Sequence, residues 1–172
     1  LGAVLGRDGK IYGIPGTATQ VLVINPANDT AILTDYGLTL TAGIAKWFGG
    51  TEGRNGKIYC APWDASNILV IDTVTGTASL QTFGLSFTAT SARHLGATRG
   101  LDGKIYMAPF SDSRVLVIDP ATETAAHNGF SLGLSTGGNK FGSGTIAADG
   151  KLYFPPYQYT GGVLCIDTAA GT

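Results

Sequence analysis

The chain has 172 residues, 44% of them apolar, enough to bury a core; a disordered chain is excluded and a single domain is expected. Only 13% of residues are charged and the formal net charge is -1, so no global field draws the chain to nucleic acid or to an anionic membrane. No apolar run approaches the roughly 20 residues of a membrane-spanning helix, so neither a nucleic-acid partner nor membrane insertion is expected. The opening LGAVLGRDGK lacks the cationic and long apolar regions of a signal peptide, and with Leu1 rather than Met at its start the chain is expected to be a mature or excised piece.

A fixed period organises the chain. RDGKIYGIP, RNGKIYCAP, LDGKIYMAP and ADGKLYFPP place Tyr12, Tyr59, Tyr106 and Tyr153 at intervals of 47 residues, and Pro15, Pro62, Pro109 and Pro156 keep the interval. A second block follows each time: VLVINPANDT, ILVIDTVTGT, VLVIDPATET and VLCIDTAAGT. The last block begins at Val163, one residue late, so the loop before it carries one insertion. Self-similarity of this length marks a repeat architecture, with units 1–46, 47–93, 94–140 and a truncated 141–172.

Within the second unit, the elements read as strand A over about 47–53, B over 57–62, C over 67–72 and D over 77–84. Asn55-Gly56, like Asp8-Gly9, Asp102-Gly103 and Asp149-Gly150, is a two-residue hairpin signal, because a type I′ turn needs positive φ at both centres. The β-branched cores Val21-Ile24, Ile68-Ile71 and Val115-Ile118 read as mid-sheet strands buried on both faces. Asp72 to Thr77 supplies the Asp, Thr and Gly of a second compact turn, between C and D. Four strands per 40-to-50-residue repeat is the signature of a propeller blade. The fold class is therefore all-β: a β-propeller, as a partial ring of about three and a half four-stranded blades. The A–B and C–D turns share one face and are short. The longer, more varied B–C and D–A loops share the other, where a rigid scaffold is expected to place binding.

GKIYCAPWDASNILVIDTVTGT resembles the YVTN-type surface β-propeller repeat, and all four copies follow its DGKIY and VID parts closely, with NGKIY in the second, DGKLY in the fourth, VIN in the first and CID in the fourth as the variants. The resemblance implies a propeller and an extracellular or surface-exposed setting, and it is unspecific for activity. Leu1 aligns with Phe48, inside strand A, and the chain stops before a fourth D strand. Such an array is expected to be completed, by further blades of the same protein or by self-association; two chains give about seven blades, within the usual four to eight.

Little in the sequence suggests catalysis, and a non-enzyme is expected. Asp72, Asp119 and Asp167 recur at turn positions, so turn chemistry accounts for them and no metal is assigned. Among the strand A residues Thr51, Glu52, Thr98 and Arg99 there is a single carboxylate, too few for the six or more oxygens of a calcium site. His94 and His127 form no pair that spacing supports, and His127, at the apolar position of Leu33 and Leu80, reads as a satisfied, partly buried histidine. Gly142-Ser143-Gly144 is not a nucleophile elbow. Cys60 and Cys165 read as buried free thiols, and Asn28-Asp29-Thr30 matches a glycosylation sequon that is also a turn. No cofactor is expected.

The candidate ligand-binding residues lie on the loop face. Lys46, Arg93 and Lys140 are 47 apart, one per blade, and are followed by Trp47, His94 and Phe141. They are expected to form a partial basic ring at the channel mouth. The B–C loops add Trp63, Asp64, Phe110, Asp112, Arg114, Tyr157 and Tyr159. Aromatics beside cations suit a glycan or protein ligand. The same residues also fit an architectural reading, in which the cations pair with Asp64 and Asp112 and the aromatics fill gaps between blades. A structural assembly unit is the alternative function, and a metal-dependent hydrolase of the lactonase type is a third reading.

Overall fold

The computed structural model describes residues 2–87, 92–128, 130, 132–135 and 137–171; Leu1 and Thr172, at the chain's ends, lie outside them. The first sheet holds β1 (Ala3–Leu5), β2 (Ile11–Gly13), β3 (Val21–Asn25) and β4 (Thr30–Thr34). The second holds β5 (Trp47–Glu52), β6 (Lys57–Pro62), β7 (Ile68–Asp72) and β8 (Thr77–Gln81). The third is β9 (Thr98–Arg99), β10 (Ile105–Met107), β11 (Val115–Asp119) and β12 (Thr124–Asn128), and the fourth has three strands, β13 (Thr145–Ile146), β14 (Leu152–Phe154) and β15 (Leu164–Ile166). Each sheet is antiparallel with its strands in sequence order, the pattern of propeller blades.

The Asp-Gly and Asn-Gly pairs close hairpins, but not as two-residue type I′ turns. Only the glycines have positive φ: 80° at Gly9, 81° at Gly56, 86° at Gly103 and 80° at Gly150. Gly6 N donates to Lys10 O and Gly9 N to Gly6 O, which makes a longer loop whose last residue is the left-handed glycine. The side chain before that glycine decides the geometry. Asp8 Oδ1 accepts from Lys10 N and Oδ2 from Tyr12 Oη at 2.9 Å, and Asp102 with Tyr106 and Asp149 with Tyr153 repeat the bond at 2.8 Å. The repeated tyrosine and turn aspartate are thus two ends of one interaction. On the C–D side, Asp72 Oδ1 accepts from Val74 N and Thr75 N, so its recurrence is turn chemistry as expected.

Consecutive sheets pack face to face. Tyr12, Ile14, Val21 and Val23 of the first blade bury against Ile58, Cys60, Leu69 and Ile71 of the second. Tyr59, Ala61, Ile68 and Val70 meet Ile105, Met107, Leu116 and Ile118; Tyr106, Ala108 and Val115 meet Leu152, Phe154, Leu164 and Ile166. Full burial of each large apolar side chain contributes about 1.5–3 kcal/mol. Cys60 is buried as expected, whereas Cys165 is exposed, because it points off the fourth blade's outer face where no following blade packs among the described residues.

At the centre, β5 carries a register shift between Trp47 and Gly50, and Gly49 (φ 72°) and Gly96 (φ 74°) take left-handed backbone. The innermost strands meet there: a Cβ on Gly49 would lie 3.1 Å from Gly96 Cα. Strand A is shorter in the third and fourth units, where β9 and β13 are preceded by the single bridges His94 to Pro109 and Phe141 to Pro156. Gly49→Ala combines φ strain with a backbone clash, whereas Gly9→Ala has strain alone, with open space around its Cβ. Gly9→Ala should cost about 1 kcal/mol and Gly49→Ala about 2–3 kcal/mol in urea denaturation followed by circular dichroism. Equal costs would show that the innermost strands do not touch.

Candidate functional site

The loop face is knitted by a main-chain ladder that crosses every blade boundary. Lys46 N donates to Gly16 O, Trp63 N to Lys46 O, Arg93 N to Trp63 O, Phe110 N to Arg93 O, Lys140 N to Phe110 O and Tyr157 N to Lys140 O, all at 2.7–3.0 Å. The two alternating series, 46/93/140 and 63/110/157, are each one residue per blade. The candidate cations and aromatics therefore sit on a single structural seam.

The structure turns those cations inward. Lys46, Arg93 and Lys140 are 3%, 2% and 4% exposed, so they do not form an open basic ring. Their charges meet loop carbonyls: Lys46 Nζ donates to Thr41 O at 2.7 Å, Arg93 Nη1 to Ala65 O at 2.6 Å and Lys140 Nζ to Gly137 O at 2.7 Å. Burial lowers the pKa of all three. Asp64 accepts from Ala92 N, and Asp112 accepts from Arg114 N with Arg114 Nε 3.7 Å away; Arg114 itself stays half exposed. Arg93, and Lys140 through a further bond to Phe110 O at 3.3 Å, hold D–A loops onto B–C loops, whereas Lys46 braces its own D–A loop.

The aromatics form a row. Ring centroids lie 4.9 Å apart for Phe48 and Trp63, 4.7 Å for Trp63 and Phe110 and 5.2 Å for Phe110 and Tyr157. Phe110 is buried, Trp63 half-buried and Tyr157 62% exposed, so the row begins as inter-blade filling and ends at solvent. Trp47 is buried with its indole N–H donating to Asn67 O at 2.9 Å.

Two clefts open on this face, each between a D–A loop and a neighbouring B–C loop. One of about 230 Å³ is lined by Thr41, Ile44, Asp64, Ser66, Asn67 and Arg93, and one of about 370 Å³ by Ser135, Gly137, Asn139, Lys140, Gln158 and Tyr159. A larger groove of about 640 Å³ lies elsewhere, on the outer rim between the first two blades, against Tyr12, Ile32 and Tyr36. Its counterpart at the next boundary is narrowed by the ion pair of Lys57 with Glu123. The rim groove is thus a gap in blade packing rather than a site built on the loop face.

The two histidines that sequence spacing left apart come together. Their rings stack at 6.0 Å with 7° between planes, and Phe87 packs edge-on against His127. His94 is fully buried, and its Nε2 lies 3.3 Å from Arg114 O; His94 Nδ1 and His127 Nε2 are buried without a hydrogen-bond partner. His127 is therefore partly buried as expected but not satisfied. Burial lowers the His94 pKa to about 4, helped by His127 and Arg93 and opposed by Asp112 and the Arg114 carbonyl; burial also lowers that of His127. One sequence signal pointed here: at positions where other repeats carry Trp47 or Phe141, Ala65 and Leu80, the third carries His94, Asp112 and His127.

No family model matches the chain, and no curated protein matches it. Among solved structures, virginiamycin B lyase from Staphylococcus aureus superposes with TM-score 0.69 at 16% identity, covering 96% of this chain and 54% of that one. A nidogen/laminin complex chain gives TM-score 0.66 at 16% identity over 99% and 60% of the two chains. The extracellular domain of a putative one-component system from B. thetaiotaomicron gives 0.64 at 12%, over 99% and 23%. The chain spans about half the length of the lyase and less than two thirds of the others. These likenesses establish the fold.

The His94 shift fixes the sign of a pH dependence. Its folded pKa lies below the ordinary 6.5, so between pH 6.5 and about 4 the unfolded chain binds a proton that the folded chain refuses. Stability should be fully present above pH 6.5 and fall by on the order of 3 kcal/mol as pH drops toward 4. Urea denaturation in EDTA-treated buffer checks this. His94→Phe, the residue type of the fourth repeat, should lose that part of the slope, and an unchanged slope in the variant would refute the assignment.

Proposed function

We propose that the chain is part of a non-enzymatic binding module, a YVTN-like surface propeller that takes a glycan or protein ligand on its B–C/D–A loop face. The observation that carries this reading is the pair of clefts on that face, each formed where a D–A loop parts from a B–C loop. The larger presents the ring of Tyr159 beside the Asn139 and Gln158 amides, which bond to each other at 2.9 Å. An aromatic face beside amides matches the apolar face and hydroxyl rim of a sugar. The buried cations act here as braces that fix the loops bordering the clefts, while Tyr157, Tyr159 and Arg114 are the groups left in reach of a partner. Among the described acidic residues only Asp64 lines either cleft, and its carboxylate accepts from Ala92 N, which favours a binder over an enzyme. A surface or extracellular setting agrees with the extracellular domain among the structural neighbours.

A second reading, an assembly unit, has its own support. Tyr12, Tyr59 and Tyr106 are buried, but their counterpart Tyr153 is only partly covered and Cys165 beside it is exposed. At the other end Leu22 is 37% exposed where Leu69 and Leu116 are fully buried. The two uncovered faces have the complementary shapes of consecutive blades, so they suit a head-to-tail contact with a second copy or with further blades.

Binding is tested on an immobilised oligosaccharide array. Tyr159→Ala and Gln158→Ala should each lower the signal of a bound glycan about tenfold at an unchanged melting temperature, and full retention by both would overturn the glycan reading. For assembly, light scattering on the 172-residue chain at high concentration should give a mass above that of the monomer; a strict monomer would refute pairing between copies.

A further inference from the structure

We propose that the loop-face end of the third blade is a transition-metal site, with Zn²⁺ the ion it fits, held by His94, His127 and Asp112. One ligand atom from each residue lies within 4.8 Å of the other two. Two imidazoles and a carboxylate form a borderline-soft donor set with a fourth position open to water or to an oxygen of a ligand. Nothing in the proposed glycan or protein binding depends on this site.

Three independent observations converge on these residues. The first is the pair of orphaned nitrogens. His94 is fully buried, yet its Nδ1 has no partner, and neither has His127 Nε2. An unsatisfied buried polar group costs about 1–3 kcal/mol, and two of them side by side are expected where something supplies the missing bonds. The second is the outer contact. His94 Nε2 lies 3.3 Å from the Arg114 carbonyl, at the place where Trp47 Nε1 donates to Asn67 O in the second blade. A ring N–H donated to a carbonyl leaves the lone pair on Nδ1 and fixes the ring plane, as outer partners of metal-bound histidines do.

The third is the repeat itself. Three positions that hold Trp47, Ala65 and Leu80 in the second blade become His94, Asp112 and His127 in the third, all within one cluster. Elsewhere these positions are filled by Leu33, Ala18, Phe141 and Tyr159, so an apolar or aromatic patch has been exchanged for donors at one blade only. The charged groups facing the site are Arg93 and Arg114; Arg114 Nε stands 3.7 Å from Asp112 Oδ1, and the half-exposed arginine can release the carboxylate.

Zinc at about 2.0–2.1 Å from each donor sets an edge of roughly 3.4 Å between them. Binding therefore draws the 4.8 Å cluster inward by about 1–1.5 Å, most simply through rotation of the Asp112 side chain away from Arg114. Asp112 is little exposed and His127 half-buried, which leaves a path for the ion.

The chain, stripped with a chelator, is titrated with ZnCl₂ by calorimetry and with CoCl₂ by visible absorption. About one equivalent of either ion should bind, the cobalt complex should show the intense d–d bands of low coordination, and excess zinc should raise the melting temperature by several degrees. MgCl₂ should do none of these. His94→Phe, Asp112→Ala and His127→Leu restore residues of the other repeats and should fold. Each should weaken zinc at least tenfold, and the double change His94→Phe with His127→Leu should abolish binding. No stoichiometric zinc or cobalt binding by the unsubstituted chain, or zinc binding unchanged in all three variants, overturns the site.

Discussion

A four-stranded blade has two apolar faces and can cover neither by itself. Everything else in this chain follows from that constraint. Ile58, Ile68, Leu69 and Ile71 of the second blade are fully buried because blades stand on both sides of it. At the same positions in the first blade Val21 is buried against the second blade, while Ile11, Leu22 and Ile24 are partly open, with Leu22 as the clearest case. The 47-residue spacing is the length of chain needed to make one such sheet and to bring the next alongside, with the inner strands close enough that Gly49 and Gly96 touch. Face-to-face burial supplies the stabilisation, and the ladder from Gly16 to Tyr157 sets the blades' relative position.

That ladder explains why charged residues recur where the chain enters each inner strand. The D–A loops return across the top of the sheets with carbonyls that neighbouring strands do not pair. Lys46 and Lys140 reach those carbonyls from inside, and Arg93 reaches Ala65 O of a B–C loop. A recurring cation in a repeat protein can thus be part of the frame, as the turn aspartate is when it receives the tyrosine hydroxyl four residues later. On the other face Arg7 and Arg54 do comparable work, donating to Arg54 O and Leu101 O of the following blade.

Function in such a frame belongs to whatever departs from the repeat. The structural neighbours illustrate this, since a lyase, a nidogen/laminin complex and the extracellular domain of a one-component system share the architecture at 12–16% identity. Here the departures are the two loop-face clefts, the exposed tyrosines 157 and 159, and the third blade's His94, Asp112 and His127.

The period, the four strands per unit, their order and the division into a short-turn and a long-loop face were legible in the sequence, because strand alternation and turn residues are local chemistry. The strand limits in the second unit agree within a few residues, with strand D ending at Gln81 rather than 84. Turn type was not legible: Asp-Gly permits type I′, but the tyrosine hydroxyl four residues on, which holds the aspartate, selects the longer loop. Spacing gave Lys46, Arg93 and Lys140 equivalent places but not a direction, and direction decided that they brace loops from within. His94 and His127, 33 residues apart, meet because the inner strand's entry and the outer strand's end share one rim of the same blade. Sequence by itself determined the blade and its repetition, which depend on neighbours along the chain. Only the tertiary structure decided which repeated side chains are buried, paired or left without a partner, because burial is set by the adjacent blade.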